Sequence, residues 1–188
     1  MTTRTSLIKT AGHSNHPIER FVELLKNGGV DVLVDVRSTP YSRRCPQFGR
    51  ERLAQALTVA GIGYAYEGAA LGGKGGGSYD AVAAKPEFKD AVGRLIAQSG
   101  ERRLCLMCAE KDPLDCHRTV LVSRRLAERG AGVEHLLADG GSRRHVDIED
   151  ALLAKNLRAP DLFSAGEDRA TRLAQAWQAQ ERRMRGKT

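Results

Sequence analysis

The sequence predicts an α/β fold: a three-layer sandwich with a mostly parallel central sheet of about five strands, plus a helical C-terminal extension. Three observations predict it. Short runs rich in β-branched residues alternate with segments of helical periodicity, the pattern of parallel strands joined by helical crossovers. The run Val30-Asp31-Val32-Leu33-Val34-Asp35-Val36 is nearly all β-branched, as a strand covered on both faces should be. Polar residues follow directly after three of the runs, at the strand ends where such sheets bind ligands.

The elements follow in order. Residues 6–10 read as the first strand, with 11–16 turning out of it. Pro17 suits a first helical position, and Ile18, Phe21, Val22 and Leu25 form one apolar helical face, ended by Gly28 and Gly29. Residues 30–36 form the second strand, and this strand–helix–strand unit predicts a parallel neighbour reached by a right-handed crossover. Residues 37–52 are a loop of net charge +4, kept irregular in its first part by Pro40, Pro46 and Gly49, that leads into a helix with Leu53, Leu57 and Ala60 inward. Residues 62–67 alternate as a third, weaker strand. The glycine-rich stretch 72–78 lacks a phosphate-loop ending and reads as a linker loop or a flexible cover. Pro86 opens a helix that buries Phe88, Val92, Leu95 and Ile96. Residues 103–108 form the fourth strand. A helix over 118–129 turns Val120, Leu121 and Leu126 to the core, and 133–137 form the last strand. Beyond Ser142, Val146, Leu152 and Leu153 anchor one more helix, and the polar stretch from Asp161 has Trp177 as its one large apolar anchor. The division is an α/β domain over 1–142 and a helical extension over 143–188.

Composition narrows the class. No apolar run approaches the roughly 18 residues of a membrane span. The first residues have no secretory apolar region, so a cytoplasmic location is expected. Four cysteines in 188 residues are not a disulfide framework, and reduced thiols are expected. Cys105 and Cys108, three apart on a strand, face opposite ways. The net charge of +7 suits a polyanionic partner, nucleic acid or a phosphorylated small molecule, and equally suits ordinary solubilising charge. Aromatic content of 5% argues against a stacking platform for single strands.

The strand-end rule gathers Gly12-His13-Ser14, Asp35-Val36-Arg37 and Cys108-Ala109-Glu110 on one rim, with Cys116-His117-Arg118 at the mouth of the following helix. His13 is a candidate general acid or base, or a strand-end cap with Ser14 or Asn15 bonding helix N–H groups. Asp35 and Arg37 share a face and form a structural ion pair or place a guanidinium for an anion. Cys108 is a nucleophile or a small buried hydrophobe; Cys116 is a thiolate at a helix N-terminus or a packing residue. His117 or Arg118 holds a phosphate at that helix N-terminus, or Arg118 pairs with Glu110 or Asp35. A zinc site from His13, Cys108, Cys116 and His117 is chemically admissible, but the spacing matches no standard structural pattern, so no metal is expected. No motif requires a cofactor, and nothing indicates the oligomeric state.

These motifs resemble the domain-of-unknown-function 488 family. The resemblance rests on the Gly-His-Ser turn at 12–14, the Asp-Val-Arg strand end with the following Pro and Ser-Arg, and the Cys-Ala-Glu and Cys-His-Arg block over 108–118. It covers roughly residues 6–142 and departs at Ala11, where the family usually has a bulky aliphatic. It implies a fold and a shared site, and no activity. A looser likeness, in the order of strand, cysteine, loop, arginine and helix, is to the rhodanese domain, in which a cysteine carries a persulfide; here Glu110, Asp112 and Asp115 oppose a thiolate.

Three functions follow. The first is recognition of an anionic ligand, a nucleic acid or nucleotide, with hydrolysis: Arg37, Arg43, Arg44 and Arg118 hold phosphate, and His13 and Glu110 are the acid/base groups. The second is sulfur transfer on Cys108 or Cys116. The third is a non-catalytic interaction module that uses the basic face and the Trp177 tail.

Overall fold

The computed structural model describes residues 6–74, 77–156 and 168–186. Strand β1 (Leu7–Gly12) runs two residues past the expected turn, because Ala11 and Gly12 still pair with Met107 and Cys108. Helix α1 (Ile18–Asn27) buries Phe21 and Leu25 as its periodicity predicts, and Leu24 with them, while Ile18 and Val22 are half-buried. Strand β2 (Val32–Asp35) is the β-branched run. The basic loop forms a short 3₁₀ turn at Pro46–Phe48 before helix α2 (Arg50–Val59). Strand β3 (Gly63–Tyr66) ends in the short helix α3 (Gly68–Leu71). Helix α4 (Tyr79–Ala84), which the sequence reading does not contain, is capped by the Ser78 hydroxyl accepting from the Ala81 N–H. Helix α5 (Pro86–Ser99) starts on its proline as expected.

Strand β4 (Leu104–Cys108) is buried along its whole length. Leu104, Leu106 and Cys108 face one layer, Cys105 and Met107 the other, so Cys105 and Cys108 do point apart. After a loop, the chain enters a π-helical segment at Arg118–Ser123, entirely buried, that continues as α6 (Arg124–Glu128). Strands β5 (Gly132–Leu136) and β6 (Ser142–Arg144) follow. The three exposed polar residues of β6 give no apolar signal, and it pairs antiparallel on the β5 edge. Helix α7 (His145–Asn156) buries Ile148, Leu152 and Leu153. Val146, expected as an anchor, is 41% exposed because it falls on the outward side of that helix. Helix α8 (Arg169–Arg185) docks through Trp177, which is 3% exposed. No helix among the described residues is long and apolar enough to cross a membrane.

The sheet order is β3-β2-β4-β1-β5-β6, parallel except for β6. The expected direct pairing of β1 with β2 does not occur; β4 lies between them, and the crossover through α1 spans it. Residues of α1 and α2 pack on one face with Leu33, Cys105 and Met107. Residues of α5, α6, α7 and α8 pack on the other with Val34, Leu106 and Cys108. The chain therefore leaves β1 toward one layer and leaves the adjacent β4 toward the other. Loops that part in this way open a crevice at the carboxyl ends of the two strands.

Candidate functional site

The crevice begins where the β1–β4 ladder continues beyond the strands. The His13 N–H donates to the Cys108 carbonyl at 2.9 Å and the Ser14 N–H to that of Ala109 at 2.9 Å. Gly12 has no room for a side chain, since a Cβ there would collide with the Glu110 carbonyl. That carbonyl instead accepts a 2.6 Å hydrogen bond from Arg118 Nη1, while Arg118 Nη2 donates to the Lys111 carbonyl at 3.4 Å. Arg118 is thus a fully buried brace for the loop backbone. In place of the expected pairing with the Glu110 or Asp35 carboxylate, its guanidinium bonds these two backbone carbonyls.

Held this way, the loop turns the Glu110 side chain between two thiols. Glu110 Oε2 lies 3.0 Å from Cys108 Sγ and 3.0 Å from Cys116 Sγ, within hydrogen-bond reach of both. His117 Nδ1 is 3.4 Å from Cys108 Sγ, and its Nε2 is 2.9 Å from the Val36 carbonyl. A carbonyl only accepts, so Nε2 carries a proton and Nδ1 faces the sulfurs. The four donor atoms lie within 4.8 Å of one another.

The cluster divides charge unevenly. Burial, together with the neighbouring Cys116 and Glu110, pushes the Cys108 thiol well above its ordinary range. Burial would also raise Cys116, but the hydrogen bond from Cys108 and the positive Arg118 and His117 outweigh it and hold Cys116 well below the usual thiol value. Burial and the Cys116 sulfur raise the Glu110 carboxyl. For His117, burial works downward, and contact with Cys116 and the Val36 carbonyl reverses it to a net rise. Cys116 is wholly buried and Cys108 is 3% exposed.

The second wall comes from β2. The Asp35 carboxylate accepts from Arg37 Nε at 2.9 Å and Arg37 Nη2 at 2.6 Å, the structural ion pair that the alternation suggests. Tyr64 Oη donates to the same carboxylate at 3.0 Å, and Arg37 Nη2 also donates to the Phe48 carbonyl at 2.9 Å. Arg37 Nη1 lies 3.3 Å from His13 Nε2, while His13 Nδ1 lies 2.8 Å from the Ser14 carbonyl. Both ring nitrogens are therefore engaged, Nδ1–H donating and Nε2 accepting. The ring stacks on Phe48 at 4.2 Å and is 2% exposed. Burial, assisted by Arg37, lowers the His13 pKa to about 4. His13 is therefore held as a neutral imidazole near neutral pH. The cap reading does not hold: α1 has no side-chain cap, and Ser14 adopts a left-handed φ of 49° with its hydroxyl on Asn15.

Over these groups opens a pocket of about 590 Å³. Of the residues expected at the site, His13, Arg37, Cys108, Glu110 and His117 line it. Cys116 and Asp35 lie buried just behind, and Gly12 packs against the loop. Arg43 is exposed on its own loop and is not part of the lining. The sequence reading misses Lys74, Ser38 and Tyr79, and misses Arg185 from α8. The signal for Lys74 is present: it is the one cation in the glycine run. Gly73 lets that run lie against His117, whose ring a Cβ would meet at 2.6 Å, and the Lys74 N–H donates to Ser38 Oγ at 2.9 Å. The part of the run at 75–76 lies outside the described residues.

Fold and rim together define an α/β protein with a thiol–carboxylate–imidazole cluster at the switch point of a parallel sheet. The chain belongs to the family described as domain of unknown function DUF488, whose model matches residues 17–125. The match takes in the Asp35–Arg37 strand end and the whole 108–118 block, and leaves the 12–14 turn and everything from β5 onward outside it. No curated protein and no solved structure gives a significant match to the chain.

Proposed function

We propose that the rim pocket binds a small anionic ligand, a nucleotide or another phosphorylated compound, and that the cluster at its floor takes part in hydrolysing it. The observation that carries this reading is the composition of one pocket: the exposed Lys74 ammonium and the Arg37 guanidinium line the same space as Cys108, Glu110 and His117. Its volume falls in the range of small-molecule sites rather than that of a duplex groove. Ser38, Thr39 and Ser42 add hydroxyl groups to the lining. Arg43 and Arg44, exposed on the adjoining loop, add a positive field that favours anion encounter.

The test is calorimetric titration with ADP and with pyrophosphate, at low and at raised salt. Binding at low salt, weakened by added salt and reduced about tenfold in Lys74→Ala, is expected. Absence of binding at low salt, or binding indifferent to both salt and Lys74→Ala, overturns the reading.

A further inference from the structure

We propose that Cys108, Glu110, Cys116 and His117 form a binding site for one divalent transition-metal ion of the zinc class, at the floor of the rim pocket. The donor set comes first. Two sulfurs, one imidazole nitrogen and one carboxylate oxygen suit zinc or cobalt and do not suit magnesium or calcium, which take oxygen ligands.

Geometry comes second. A tetrahedral ion with bonds of about 2.3 Å to sulfur and about 2.0–2.1 Å to nitrogen or oxygen sets its ligand atoms about 3.5 Å apart. The sulfur–oxygen separations here are 3.0 Å and the sulfur–nitrogen separation is 3.4 Å. The two sulfur–oxygen pairs therefore need to part by about half an ångström to admit the ion, the sulfur–nitrogen pair already fits, and no pair of donor atoms is more than 4.8 Å apart. Protons occupy the space between them in the metal-free chain, and binding releases those protons to solvent.

The supporting contacts are also in place. His117 is held through its far nitrogen by the Val36 carbonyl, which aims Nδ1 at the sulfurs. The Arg118 N–H points at Cys116 Sγ from 3.4 Å, and its guanidinium fixes the backbone that carries Glu110. Cys108, Glu110 and His117 face the pocket, which gives the ion an entry path and a side open to a ligand.

Sequence spacing points away from this site for a physical reason. Structural zinc patterns describe knuckles, whereas these ligands come from a strand end and from the mouth of a π-helix. The set that spacing offers includes His13, which is committed to Ser14 and Arg37 instead. The proposal deepens the hydrolytic reading of the same pocket, since such an ion would polarise a phosphoryl oxygen or activate water. It does not depend on the ligand being anionic.

The experiment uses the full chain, reduced, stripped with a chelator and titrated anaerobically with Co²⁺ without any phosphate compound. One equivalent should give thiolate-to-cobalt charge-transfer absorption and the visible bands of a tetrahedral ion, and Zn²⁺ should displace it. Cys116→Ser and His117→Gln should each weaken binding at least tenfold, while Cys45→Ser should not. A folded, reduced chain with no charge-transfer band overturns the proposal. So does a band undiminished in the Cys108→Ser/Cys116→Ser double variant. Should circular dichroism show that double variant unfolded, His117→Gln decides, and full affinity there overturns the proposal. ADP titration of the stripped chain keeps the two readings separate, since either can fail while the other stands.

Discussion

Two arginines show how far apart residues of one type can stand. Arg37 answers a carboxylate two positions away at the end of β2, and the alternation of side chains along extended chain makes that pair readable. Arg118 is the largest fully buried side chain, bonded to backbone carbonyls from another part of the chain. Sequence spacing reports closeness along one element and says nothing of depth, so its burial and its grip on the loop were hidden. For the same reason Glu110 was readable as a rim carboxylate but not as the atom between two thiols. Asp35→Ala tests the residue scale. It leaves the Arg37 guanidinium enclosed without its anion, and stability by urea denaturation should fall by about 3–5 kcal/mol. A change below about 1 kcal/mol would show the pair to be no better than a surface bridge.

At the scale of elements, β1, β5, α7 and α8 are joined by a chain of polar side chains. Thr10 Oγ1 lies 2.8 Å from His135 Nδ1, His135 Nε2 lies 3.1 Å from His145 Nδ1, and the His145 ring stacks on Trp177. A consistent proton assignment runs one way: the threonine hydroxyl donates to His135, and His135 Nε2–H donates to His145, with both rings neutral. Burial lowers the His145 pKa to about 4 and, with the positive field of its neighbours, lowers His135 well below the ordinary value. Groups neutral when folded and protonated when unfolded give stability that is complete above about pH 6.5 and is lost as the pH falls toward about 4. His145 alone accounts for a loss of about 3 kcal/mol over that window. Trp177 is the sole tryptophan, so its emission follows the undocking of α8. Urea midpoints should fall with acidification across this window, and His145→Gln should flatten the slope; equal slopes would refute the assignment.

The elements that were readable are those with a strong internal rhythm: α1, α5, β2 and β4. The short α4 has no room for a periodic face, and the exposed Ser-Arg-Arg of β6 becomes a strand only because β5 offers an edge.

Across the whole molecule, strand order decided what periodicity could not. The five parallel strands were each recognisable in isolation, but only the placement of β4 between β1 and β2 brings the 12–14, 35–37 and 108–110 segments to one crevice. The far helix completes that crevice. Gln180 Nε2 donates to the Leu114 carbonyl at 2.7 Å, Glu181 Oε1 accepts from the Tyr79 N–H at 2.7 Å, and the Arg185 guanidinium lies 4.8 Å over the Tyr79 ring. Helix α8 thus braces the loop that precedes Cys116. Gln180→Ala should speed hydrogen exchange at the amides of 112–116, and unchanged protection there would show that the loop stands without the brace.

Met184 and Arg185 sit on the pocket wall, although the family match ends at residue 125. The Cys108, Glu110 and His117 floor and this part of the wall therefore belong to separable stretches of sequence. Substitutions in the last turn of α8 would reshape the wall of the pocket and leave Cys108, Glu110, Cys116 and His117 as they are.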